Sequence, residues 1–255
     1  MFWAYTFYYF GWIAVIVGVI SAIKLYRKYD KEKKYVKKME KKKWEDELAF
    51  MDKSVYEQLE LLKRGNLVIF WDRNYETVGK MRLVEMTWEG DNHIATGRYF
   101  PIITLDNNRL LVSMPRGEGQ SIIWFMFEQV HCDTALTPFF AGTDEKPGPA
   151  MVFADSEQTA EVLFELPQNA TEHTLAQGQW KMKDIGSFNF KADEYSFVKG
   201  NGEMRHVLAR HHTQEKQYLL YFDLQAGEGS DTLLLGTEID PSTEIKYVFQ
   251  TDRVE

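Results

Sequence analysis

The first 23 residues, MFWAYTFYYFGWIAVIVGVISAI, hold no charged side chain, and the next twenty hold eleven Lys or Arg. This junction restricts the chain more than any other feature. As a helix, such a run is about 34 Å long and covers a hydrocarbon core of about 30 Å. The reading is therefore a transmembrane helix over 1–23. Trp3, Tyr5, Tyr8, Tyr9 and Trp12 crowd its first half, where rings with one polar atom suit the headgroup boundary and form an interfacial anchor. A cleaved signal peptide fits poorly, because no basic residue opens the run and no small-x-small cleavage site precedes Lys24. A buried core helix fits poorly too, given the lysines that follow.

Those lysines set an orientation. Residues 24–43 carry eleven bases against three acids, a net of +8. Basic flanks stay on the cytoplasmic side, so the N-terminus is expected outside and the rest of the chain on the cytoplasmic side. Lys24, Arg27, Lys28 and Lys31 are the bases nearest the apolar run and are expected to face anionic lipid. Ala14, Gly18 and Ala22 recur every fourth residue with Ser21 beside them. Such a stripe lets another membrane helix approach closely, either a second copy or another subunit.

No Pro or Gly occurs between Lys24 and Arg64, and Gly65-Asn66 ends the pattern, which predicts a stalk helix over 24–65. Its distal part carries Trp44, Leu48, Met51, Val55, Leu59 and Leu62 at steps of three and four, a stripe for packing on the following domain or on a partner helix. It is too short for a coiled coil.

From Asn66 onward the texture is mainly β. Runs rich in β-branched and aromatic residues alternate with turn residues. The expected strands are 67–71, 77–88, 93–104, 109–114, 121–130, 160–166, 187–190, 195–198, 203–212, 217–224, 232–239 and 245–250. Val162, Phe164 and Leu166 share one face, as do Ile245, Tyr247 and Phe249. SIIWFMF (121–127) is apolar on both faces and reads as a central, covered strand. Lys199-Gly200-Asn201-Gly202 reads as a hairpin turn, a weak helical period falls around 155–161, and 131–150 and 167–185 read as long loops. The class is all-β, a sandwich or a barrel. The stretch AGTDEKPGPA (141–150) is the best linker, dividing 66–140 from 150–255 as two β subdomains, with a single domain over 66–255 as the alternative.

Outside residues 24–43 the remaining 19 bases and 35 acids leave −16, which repels phosphate backbones and argues against nucleic-acid binding. The sequence holds no phosphate-binding glycine loop, no GxGxxG, no HExxH and no GxSxG. Arg116-Gly117-Glu118-Gly119 has no helix behind it to hold an anion and reads as a hairpin loop. His206 and His212 are expected to share a strand face, with His211 pointing away. A metal there needs help from His93, His131, Cys132 or Asp133 on neighbouring strands. One cysteine excludes an internal disulfide, and Cys132 reads as an unreactive thiol. Asn169-Ala170-Thr171 is a formal glycosylation sequon, but on the cytoplasmic side it never meets the transferase. No catalytic residue, cofactor site or metal site emerges.

The expected function is therefore a non-catalytic, single-pass accessory or scaffold subunit of a membrane complex. Its partners are lipid and other subunits or itself. The alternatives are a membrane-tethered module that binds a small ligand or peptide and, less favoured, an enzyme of unrecognised type.

Overall fold

The computed structural model describes residues 2–89, 92–116, 121–193, 196–198, 200–224 and 232–249, without the side chains of 2–14, 16, 87–89, 92, 93, 116, 121 and 224. The chain forms two compact units, Met1–Lys53 and Ser54–Glu255. The first is a single helix, α1 (Phe2–Met51). Among the described residues, no helix is long and apolar enough to cross a membrane. The expected interfacial anchor (Trp3, Tyr5, Tyr8, Tyr9, Trp12) and Ala14 have side chains outside the described ones.

The stalk does not run unbroken to Gly65. Helix α1 ends at Met51 and a new helix, α2 (Val55–Leu61), starts after Ser54. The Ser54 hydroxyl accepts from the Glu57 amide, and the Glu57 carboxylate accepts from the Ser54 amide at 2.9 Å. This reciprocal capping of otherwise orphaned amides favours a fresh N-terminus over continuation. The expected packing stripe is divided at the break. Trp44, Leu48 and Met51 are exposed, Val55 is half-buried, and Leu59 and Leu62 are buried where α2 meets the β unit.

The rest of the chain is mainly β. Its strands are β1 (Leu67–Phe70), β2 (Arg73–Glu89), β3 (Asn92–Leu105), β4 (Arg109–Arg116), β5 (Ser121–Val130), β6 (Leu163–Glu165), β7 (Gln179–Ala192), β8 (Asn201–His211), β9 (Gln217–Leu224), β10 (Thr232–Ile239) and β11 (Ile245–Phe249). All pairings are antiparallel in one sheet of order β11-β1-β2-β3-β4-β5-β10-β9-β8-β7-β6, and β2 also pairs with β7. That extra pairing closes β2 through β5 and β10 through β7 into an eight-stranded barrel, with β1–β11 and β6 as flaps.

The barrel interior is filled with side chains, as suits a closed barrel of this strand number. Phe100, Phe125, Phe127, Phe188, Phe222 and Leu234 are among its fully covered members. Several strands are also apolar outside. Met204 and Leu208 of β8 point in while Val207 and Ala209 point out, and Leu220 and Phe222 of β9 point in while Leu219 and Tyr221 point out. The outer set is covered by β6 and two short helices, α3 (Thr137–Ala141) and α4 (Pro149–Asp155). At β5, Trp124–Phe127 are all buried, as a doubly apolar central strand requires.

Several expectations are corrected. The strands of 66–140 and of 150–255 belong to one sheet, joined at β1–β11, β5–β10 and β2–β7, and they lie in one compact unit, as in the single-domain alternative. Residues 141–150 are not an extended linker: they join α3 to α4 through a Gly142–Pro147 bridge. Helix α4 precedes the weak period at 155–161. The 167–185 stretch is not all loop, since β7 begins at Gln179. Ser196–Val198 are not a strand, and Tyr195 lies outside the described residues. The β7–β8 connection spans 193–200, closed by the Ala192 amide on the Gly200 carbonyl at 2.9 Å. Asn201 and Gly202 are thus already in β8, and Lys199 lies outside the described residues. In β11, Ile245 and Val248 are buried while Tyr247 and Phe249 are exposed, because the register slips between Ile69 and Phe70 where β1 meets it. A short helix, α5 (Pro241–Glu244), leads into β11.

Candidate functional site

The ladder between β2 and β7 runs only from Met81–Ala192 to Glu85–Phe188. Beyond it Met86 diverges from β7. On the outer wall there, a cleft of about 750 Å³ opens between the sheet and the helices. Ile185 of β7, Val207 of β8 and Tyr221 of β9 form its floor, and Phe140 of α3 with Ala150, Met151 and Ala154 of α4 form a wall. The rim is charged. Glu203 and Arg205 of β8 and Asp223 of β9 border it, and Arg205 and Asp223 are cross-strand partners.

Local sequence builds the wall. Pro138 and Pro149 stand in the first turns of α3 and α4, at the second and the first position, where a missing amide does no harm. The two helices approach closely at Gly148. A Cβ there would lie 2.3 Å from the Phe140 carbonyl oxygen, so no larger residue fits. Phe140 packs on Phe164 (5.6 Å between ring centroids) and Tyr221 (5.0 Å), and the Tyr221 and Thr137 hydroxyls share a hydrogen bond of 2.6 Å. The cleft is thus a preformed apolar slot with one hydroxyl pair and an acid–base–acid rim. Its size and lining suit a small amphiphile or an apolar side chain of a peptide.

His206 borders the same cleft from the barrel side. It is buried, stacks on Phe188 (centroids 4.7 Å apart, planes 24° apart), and its Nε2 lies 3.1 Å from Asp184 Oδ2. Its ring fits because residue 186, opposite it across the ladder, is glycine: a Cβ there would meet Cε1 at 2.9 Å. The Nδ1 atom has no hydrogen-bond partner among the described residues. A carboxylate-oriented histidine can act as a base, but no hydroxyl or thiol among the described residues hydrogen-bonds it, so the pair forms no nucleophilic dyad. Nearby, burial and then the Arg210 and Lys181 charges push Lys183 below the ordinary lysine range. The 2.5 Å hydrogen bond from Lys181 holds Glu161 below the ordinary carboxylate range.

The histidines do not converge. His206 and His212 do not share a face: His206 lies inside, whereas β8 ends at His211 and His212 is exposed beyond it. His211 is buried against Trp180 at 5.0 Å. His131 is exposed beside Asp133, Cys132 is half-buried against the outer cluster, and the His93 side chain lies outside the described ones. Among the described residues, no three His, Cys, Asp or Glu gather as a metal site. The glycines of 117–119 lie outside the described residues. On α1, Gly18, Ser21, Ala22, Lys24, Arg27, Lys28 and Lys31 are all exposed.

The cleft escaped the reading of the strands, yet a signal was present. Val207-Leu208-Ala209, Leu219–Phe222 and Leu233–Leu235 are apolar without alternation, which says that the outer wall of β8, β9 and β10 is covered.

The fold and cleft together define a closed antiparallel β-barrel with an external apolar slot beneath two short helices. No protein family matches this chain, and no curated protein and no solved structure matches it.

Proposed function

We propose that this chain is a non-catalytic, membrane-tethered binding module. The barrel would take a small amphiphile or a short apolar peptide segment in the slot between its outer wall and α3–α4. The slot carries this reading, because the barrel interior is already filled whereas the external cleft is roomy and mostly apolar. The tether is read from the uncharged run 1–23 and the +8 segment after it, with the barrel on the cytoplasmic side. No cofactor, metal or nucleic acid takes part.

The test is thermal unfolding of the full chain in detergent with short acyl and aryl carboxylates and apolar tripeptides as probes. A ligand at 100 times its Kd adds about 2.7 kcal/mol, a rise of roughly 5–10 °C for a unit of this size. Ala154→Trp, which fills the slot, should abolish the rise. No stabilisation by any probe, or a rise that survives Ala154→Trp, refutes the reading.

A specific observation favours a second reading, an accessory or scaffold subunit of a membrane complex. Val15, Val17, Val19, Ile20 and Ile23 spread over more than half of the circumference of α1, with the small residues Gly18, Ser21 and Ala22 on the remainder, and are 46–57 % exposed. A helix apolar all round needs lipid or protein around it. Mild detergent extraction should yield a particle larger than the monomer, and a clean monomer counts against the subunit reading.

A further inference from the structure

The basic part of α1 carries an apolar seam. Leu25, Tyr29, Val36 and Met39 follow one another at steps of four, seven and three, so they share one stripe, and they are 69, 63, 52 and 50 % exposed. Arg27, Lys31, Lys34 and Lys38 form a ridge on the opposite side. Lys28 and Lys42 flank the seam on one side and Lys33 on the other. The pairs Lys28–Glu32 (4.0 Å) and Lys34–Asp30 (2.7 Å) are solvent-exposed and leave the segment at +8.

The charges select the occupant. Filling the gaps of the seam at the same steps gives Leu25, Tyr29, Glu32, Val36, Met39 and Lys43. In a symmetric parallel pair of copies, Glu32 would meet Glu32, Lys43 would meet Lys43, and Lys28 would face Lys33. Like charges at such positions oppose pairing. On the tether reading, the unbroken helix α1 leads away from the bilayer, so anionic lipid would match the lysines but give the apolar stripe nothing to pack on. An amphipathic helix with acids beside its apolar face satisfies both the seam and its flanks.

We propose that the Leu25–Met39 face seats an acidic amphipathic helix of another protein. The proposal rests on the subunit reading and deepens it by naming the partner's chemistry.

The test uses the full chain in its native membrane, with a benzoyl-phenylalanine photocrosslinker replacing Tyr29 or, on the opposite ridge, Lys34. Position 29 should give a heteromeric adduct whose crosslinked peptide, mapped by mass spectrometry, belongs to an acid-rich amphipathic segment. Position 34 should give at least tenfold less. A second variant, Leu25→Gln with Val36→Gln and Met39→Gln, keeps charge and helix propensity and should lower the adduct at least tenfold while the barrel's melting temperature stays unchanged. An adduct of twice the chain's mass, lipid adducts alone, or equal yields at both positions overturns the proposal. If the larger detergent particle persists but the seam variant leaves it intact, the seam assignment fails and the subunit reading survives. If no larger particle forms, both fail.

Discussion

Replacing Gly236 by Ala tests how the barrel is closed. Gly236 is the middle position of the ladder from Leu233–Val130 to Ile239–Trp124, which joins β2–β5 to β7–β10 within the barrel. A Cβ there would lie 2.1 Å from the Met126 carbonyl oxygen and 2.7 Å from Phe127 Cα, where ordinary contact begins at 3.4 Å. Both obstacles are backbone, so no side chain can swing aside, and β5 and β10 must part by roughly 1 Å. Overpacking and a weakened hydrogen bond or two on the ladder together amount to about 3 kcal/mol. That is a loss of roughly 6–12 °C in Tm. Thermal and urea unfolding of the full chain, followed by far-ultraviolet circular dichroism, measure it. The control is Gly97→Ala. There φ is +81° but nothing lies within 4 Å, so only the left-handed penalty of about 1–2 kcal/mol applies. A Gly236→Ala protein that melts within ~2 °C of wild type, or no lower than Gly97→Ala, would falsify the inference that the strands meet this closely.

Three further outcomes are expected. Gly186→Ala should drive the His206 ring from its place over the glycine and loosen the Asp184 contact, lowering stability by about 1–2 kcal/mol and shifting the His206 imidazole resonances; unchanged resonances would contradict this. Ser54→Ala removes the cap of α2 and should cost about 1 kcal/mol in urea unfolding, whereas Ser54→Asp should retain most of it. Burial, and then the Arg82 charge, hold Lys80 below its ordinary value of 10.5, while its ammonium donates to the Glu60 carbonyl. The unfolded chain therefore binds more protons there than the folded one. Wild-type stability relative to Lys80→Met should rise with pH from the depressed value up to 10.5 and level off above it. A difference that falls with alkaline pH reverses the assignment.

The strands were largely legible because period-two alternation is local. The ranges 121–130, 217–224 and 232–239 coincide with β5, β9 and β10. The missed first half of β7, QWKMKDIG, alternates tryptophan and methionine with charged residues, and its lysines disguised it as loop. Its outward Trp180 and Met182 become core only because β6 and the loop after it cover them. The break at Ser54 was also written locally, as Ser-x-x-Glu before an apolar run, but the absence of Pro and Gly masked it. The cleft could not be read this way, because its floor comes from three strands and its wall from helices that precede β8 and β9 by 46 residues or more (Asp155 to Asn201).

Sequence alone determined most of the strands, the charge division between the +8 segment 24–43 and an acidic remainder, and the helical start of the chain, since these depend on residues a few positions apart. Tertiary structure alone decided that β5 lies beside β10 and β2 beside β7, that one barrel forms rather than two subdomains, and that His206 faces Asp184 rather than His212. Strand pairing is chosen by the simultaneous burial of faces far apart along the chain, and no local pattern encodes which two faces will meet.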